Sequence, residues 1–93
     1  MSYKDPTIHN VTLTLADTEY SQVILDEASK VLIRSRDNHE LKLAYTEGES
    51  GTNFITIPAG SGGKWLEGLQ LKGKTLYIQS PSTGGVVEIE IWK

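Results

Sequence analysis

Three stretches of this chain hold residues of a kind that can do chemistry. The first is TIPAGSGGKW, Thr56 to Trp65, where small residues crowd in front of a lysine. A phosphate-binding P-loop needs a glycine, four residues, then Gly-Lys and a hydroxyl side chain. It also needs a helix whose N-terminus faces the phosphate. Gly63-Lys64 matches the second half, but five positions before Gly63 stands Pro58, and Trp65 follows the lysine. The stretch reads instead as a wide turn. Pro58 closes the run FITI, and the glycines supply positive φ.

The second stretch is VVEIEIW, with Glu88 and Glu90 two positions apart. On a strand they share a face at roughly 6.5–7 Å, near the separation of paired glycosidase carboxylates. A solvated strand face explains them as well and is the preferred reading. The third is RDNHE, Arg36 to Glu40. Adjacent His39 and Glu40 point to opposite sides of a strand, His9 is far off in sequence, and the spacing is not that of a calcium loop. The chain has no cysteine nucleophile, and its serines fall mostly in turn clusters. The expectation is a protein that is not an enzyme, with no catalytic, metal or cofactor residues to assign. Arg34 and Arg36, with Lys30 and Lys42 nearby, form the basic cluster. Arg34, Arg36 and Leu32 are expected on one strand face, pairing with acids across strands or touching an acidic partner.

The elements that position these residues repeat with period two. VTLTL sends Val11, Leu13 and Leu15 one way, and LKLAY does the same with Leu41, Leu43 and Tyr45. TLYIQ sends Leu76 and Ile78 inward and Tyr77 and Gln79 outward; VVEIEIW sends Val87, Ile89 and Ile91 inward and Glu88, Glu90 and Trp92 outward. This is the signature of half-buried strands. Further strands are expected near Tyr20–Leu25, Lys30–Arg36 and Asn53–Ile57, and a weaker one over Lys64–Leu71, where Gly68 suggests a bulge. A helix over TEYSQVILDEASKVLI, capped by Thr18, is disfavoured by its β-branched residues. Clusters such as LADTE, EGESG and SPSTGG punctuate the runs. The fold expected is all-β: a single antiparallel sandwich of about eight short strands, jelly-roll-like. Residues 1–9, holding Pro6, read as an arm and 10–93 as the domain. The core set expected is Leu13, Leu15, Ile33, Leu43, Ile57, Leu76, Ile78, Ile89 and Ile91.

Composition sets the outer limits. The chain has 93 residues, and a domain of this size buries only roughly 60–65% of the surface its unfolded chain exposes, so it gains from a partner. The longest apolar run is too short for a membrane-spanning helix, MSYKDPTIHN shows no secretory signal, and the net charge of −3 argues against nucleic acid. Tyr77 and Trp92 are both expected opposite the aliphatic core, on neighbouring strands if SPSTGG closes a hairpin. Aromatic residues placed so suggest a contact with another subunit or a sugar, and a cover formed by the N-terminal arm or a curled barrel wall explains them equally well.

Residues 10–92 also resemble small virion proteins of tailed bacteriophages and related marine phage sequences. The resemblance lies in the strand ending IPAG (Ile57–Gly60), then Trp65, then TLYIQS (Thr75–Ser80), a Ser/Thr/Gly turn (Ser82–Gly85) and a last strand ending in Trp92. It implies a β-sandwich displayed on a capsid or tail, most concretely a capsid cement or decoration protein located in the virion. It also implies self-association, with a trimer as the expected order, and attachment to a major capsid or other virion protein. No catalytic residue is carried over. The interface residues expected are Tyr77, Trp92, Arg34 and Arg36. A carbohydrate-binding sandwich, using Tyr77, Trp92 and Trp65, is the alternative.

Overall fold

The computed structural model describes residues 7–24, 28–67 and 72–92. These form eight strands and no helix: β1 (Thr7–Leu13), β2 (Tyr20–Val23), β3 (Lys30–Ser35), β4 (Leu41–Ala44), β5 (Ile55–Ile57), β6 (Lys64–Glu67), β7 (Thr75–Gln79) and β8 (Gly85–Trp92). They assemble into two antiparallel sheets, sheet A in the order β1-β8-β3-β6 and sheet B in the order β2-β7-β4-β5. The pairs β1·β8, β2·β7, β3·β6 and β4·β5 are nested. A long ribbon rolled up in this way is the jelly-roll topology, so the fold is the all-β sandwich expected. Of the connections, only β4–β5 stays within a sheet; every other one crosses from one sheet to the other.

The register explains why the alternation works. Ile33 lies opposite Ile89 and Val31 opposite Ile91 in sheet A, and Leu43 lies opposite Ile78 in sheet B. All six are sealed in the core, with Leu13, Ile24, Leu41, Leu76 and Val87. β-Branched side chains fit this pleated, two-layered interior because their restricted χ1 suits the extended backbone. Burying an isoleucine or leucine side chain contributes about 1.5–3 kcal/mol, so the core is the main source of stability.

Several sequence expectations are corrected. Leu15 is exposed, because β1 ends at Leu13 and the chain turns through Asp17 (φ 53°) towards sheet B. Its N–H donates to the Tyr20 hydroxyl. Tyr45 is exposed too, since β4 ends one residue earlier. Strand β1 begins at Thr7, so three residues read as arm belong to the sheet; residues 1–6 lie outside the described residues, as does the bulge expected at Gly68.

The loop between β5 and β6 shows what TIPAGSGGKW does. Pro58 comes directly after the strand end, and Gly60, Gly62 and Gly63 all have positive φ. Gly63 also packs tightly: a Cβ there would lie 2.5 Å from the Ile33 carbonyl oxygen and 2.8 Å from Arg34 Cβ. The next element is strand β6 and not a helix. The loop is therefore a crossover from sheet B to sheet A.

The register is testable in a pair of variants. Ile89→Ala is expected to lose about 2–5 kcal/mol of unfolding free energy, whereas Leu15→Ala should stay within about 0.5 kcal/mol. Urea titrations followed by circular dichroism measure both. Equal losses would contradict the register.

Candidate functional site

The two sheets differ in what covers their outer faces. On sheet B the β4–β5 loop folds back over the end of β7. Ser50 is fully buried there; its hydroxyl donates to Glu19 Oε1 (2.6 Å), and its oxygen lies 2.9 Å from the Gln79 side-chain amide. Glu19 also accepts the backbone N–H groups of Gly48 (2.8 Å) and Ser50 (3.0 Å). One carboxylate thus satisfies three donors of the loop and holds it down. Gln79 points outward as its alternation requires, yet it is only 8% exposed because the loop lies on it. Gly51 abuts the Gln79 amide at a distance that leaves a Cβ only 3.2 Å from its oxygen.

On sheet A the outer face is open. The register sets Ile8, Glu90, Leu32 and Trp65 in one row across all four strands. The next row carries Trp92, Lys30 and Glu67, and on the other side lie Asn10, Glu88 and Arg34. Ile8 is 60% exposed, Trp65 44% and Trp92 37%. The Lys30 ammonium sits between the two indoles, 4.9 Å from the Trp65 ring centre and 5.7 Å from that of Trp92. A cation–π contact of this kind contributes about 0.5–1 kcal/mol at an exposed site, enough to bias the rotamers. The indole N–H of Trp92 donates to Glu90 Oε1. A hollow of about 110 Å³ lies at the middle of the face, between Ile8, Leu32, Arg34 and the two glutamates.

Glu88 is the electrostatic hinge of this face. Its two oxygens take Arg34 Nε at 3.3 Å and Arg36 Nε at 3.1 Å. The arginines thus pair with an acid across strands, the first of the two roles expected for them. Surface pairs of this type contribute only about 0–1 kcal/mol, so their effect is to fix side-chain direction.

The residues expected at an interface divide between the sheets. Trp92, Arg34 and Arg36 belong to sheet A. Tyr77 is half-buried on the outer side of sheet B, opposite Ser21 and Ala44. The hairpin between their strands does not form: β7 and β8 are in different sheets, and Ser80–Gly84 is a crossover. The aromatic that shares the outer face with Trp92 is Trp65, one strand further on across Lys30 of β3. Glu88 and Glu90, weighed as a catalytic pair, are engaged by the arginines and by Trp92. The RDNHE segment is a turn: Asp37 Oδ2 accepts the Val86 N–H, Asn38 is left-handed, and the His39 N–H donates to Ser35 Oγ. Among the described residues no three His, Asp or Glu side chains gather as a metal site would require.

No protein family matches this chain, and comparison with curated proteins and with solved structures likewise found no match.

The clamp on sheet B is open to measurement. Burial pushes the Glu19 carboxyl upward, but the hydrogen bonds from the Ser50 hydroxyl and the Gly48 and Ser50 N–H groups outweigh it, so the pKa lies below the ordinary 4.5. A lowered folded-state pKa means that the stabilisation is complete above the unfolded value and is lost as pH falls through the folded one. The amide proton resonances of Gly48 and Ser50 should therefore titrate with a midpoint below 4.5. A midpoint at or above the ordinary value would contradict the clamp.

Proposed function

We propose that this chain is a non-enzymatic structural component of a bacteriophage virion, most concretely a capsid cement or decoration protein that acts as a symmetric homo-oligomer. The observation that carries this reading is the open outer face of sheet A, where Trp65, Trp92, Ile8 and Leu32 lie together, whereas on sheet B the β4–β5 loop lies over the end of β7. Interface cores favour Trp and other large apolar side chains over Lys and Glu. The two carboxylates beside them are engaged within the chain, Glu88 by the two arginines and Glu90 by the Trp92 indole N–H, so neither is left without a partner at the flank of a contact.

The edge of the same sheet adds support. Strand β1 runs for seven residues, TIHNVTL, without a charge or a proline. Long uncharged edges are templates for pairing with another chain, and monomeric proteins usually blunt them with Lys, Pro or a bulge. A small sandwich also buries a modest core and gains from sharing surface. The virion setting and the trimeric order rest on the resemblance of residues 10–92 to phage virion proteins. Jelly rolls serve in capsids and in lectins alike, and fold alone does not choose between them. Carbohydrate binding is the second reading, favoured by the two tryptophans on one face. Against it, the space between the two rings is occupied by Lys30.

Light scattering on the purified protein separates the two. Wild type at high micromolar concentration should exceed the 10.3 kDa of one chain by a whole multiple. Trp92→Lys should return it to that mass with its thermal unfolding preserved. A wild-type monomer whose tryptophan emission responds saturably to an oligosaccharide would overturn the assembly reading in favour of the sugar-binding one.

A further inference from the structure

A groove of about 300 Å³ opens where the β3–β4 turn meets the β5–β6 crossover. Its lining includes Arg34, Arg36, Asn38 and His39 on one side and the backbone of Gly60–Gly63 on the other. No carboxylate is among its described lining residues, although the chain as a whole carries a net charge of −3. Asp37, the nearest acid in sequence, is not among them, and its Oδ2 accepts the Val86 N–H.

The charge balance here is uneven by construction. Two guanidinium groups share the single carboxylate of Glu88, and both contacts run through Nε. Among the described residues, one positive charge of the pair is left without a counter-charge. A guanidinium held at Nε keeps its terminal nitrogens as a fork of donors, the geometry that suits phosphate, sulfate and carboxylate oxygens. Both arginine side chains are about half exposed, so the forks are accessible. The opposite wall adds backbone donors. Ser61 N–H is used by Pro58 and Gly63 N–H by Ser61 Oγ, while Gly60 and Gly62 N–H bond no described group. Backbone N–H groups without a partner carry fixed partial positive charge that favours an anion.

We propose that this groove binds a tetrahedral oxyanion group, phosphate or sulfate, with Arg34 and Arg36 as its cationic ligands and the Gly60–Gly63 backbone as its second wall. The groove shares Arg34 with the hollow on the open face of sheet A but includes neither tryptophan, so anion binding and assembly are tested by different residues. It also differs from a P-loop. Lys64 is not part of the lining, so the binding owes nothing to the Gly63-Lys64 match.

The test is a titration of the full chain with sodium sulfate and, separately, sodium phosphate, at constant ionic strength set with chloride and followed by amide NMR. Saturable shifts confined to residues 34–39 and 60–63 are expected, with a dissociation constant in the millimolar range, about −4 kcal/mol of binding. Arg36→Gln and Arg34→Gln should each weaken binding about tenfold or more, and Lys64→Ala should leave it unchanged. Glucose 6-sulfate beside inorganic sulfate separates the sources. Equal affinity marks the free anion as the ligand, and a tenfold gain marks an anion carried on a sugar. Shifts that stay linear with concentration, that spread over the surface lysines, or that persist unchanged in both arginine variants would overturn the proposal.

Discussion

Strand β8 is hydrogen-bonded on both sides, to β1 through seven paired positions and to β3 through six. Its alternation does two things at once. Val87, Ile89 and Ile91 go fully into the core, and Glu88, Glu90 and Trp92 stand on the open face. Because the side-chain period is two, slipping this strand by one residue would bury both glutamates and expose three aliphatic side chains. The cost of burying unpaired carboxylates fixes the register. With the register fixed, Glu88 lies opposite Arg34, Trp92 opposite Lys30, and Glu90 opposite Leu32. The face, its ion pairs and the arginines at the groove all depend on that one placement.

The asymmetry of the two sheets has an equally local cause. Glu19 lies in the β1–β2 connection and collects three donors from the β4–β5 loop. The contacts bridge 29 to 31 positions in sequence, and the loop they hold converts an outward-facing Gln79 into a buried, bonded one. Sheet A has no comparable cover among the described residues, so its large apolar side chains remain in contact with water. Exposed apolar surface of this kind marks an interaction site more often than chance scatter when the residues are contiguous. Here contiguity comes from register: Ile8, Leu32 and Trp65 occupy one row, and Trp92 the next.

Much of this is legible in the sequence, and the misses have a common origin. Period two in VTLTL, LKLAY, TLYIQ and VVEIEIW predicts the strands and nearly all of the core, because burial on one face leaves a direct trace in residue order. Alternation does not say where a chain leaves the sheet. Leu15 and Tyr45 keep the rhythm after their strands have ended. Pairing partners are non-local and leave no such trace. Ser80–Gly84 has the composition of a hairpin turn, yet it crosses between sheets and parts Tyr77 from Trp92. Trp65 beside Trp92 and the groove beneath Gly63 depend on β3 lying between β8 and β6, which composition cannot reveal. Seven residues free of charge in β1 become a readable signal of an open edge once the topology places that strand at the border of its sheet.

Both tryptophans of the chain, Trp65 and Trp92, stand on the face assigned to assembly, so intrinsic fluorescence reads that face directly. The decisive measurement is the tryptophan emission maximum over a dilution series from nanomolar to high micromolar protein. If the face is a self-association surface, the emission shifts to the blue as concentration rises and water leaves the indoles, and Ile8→Lys abolishes the shift. An emission maximum that stays constant over the whole series, with both indoles as open to iodide quenching at the top as at the bottom, would contradict the account.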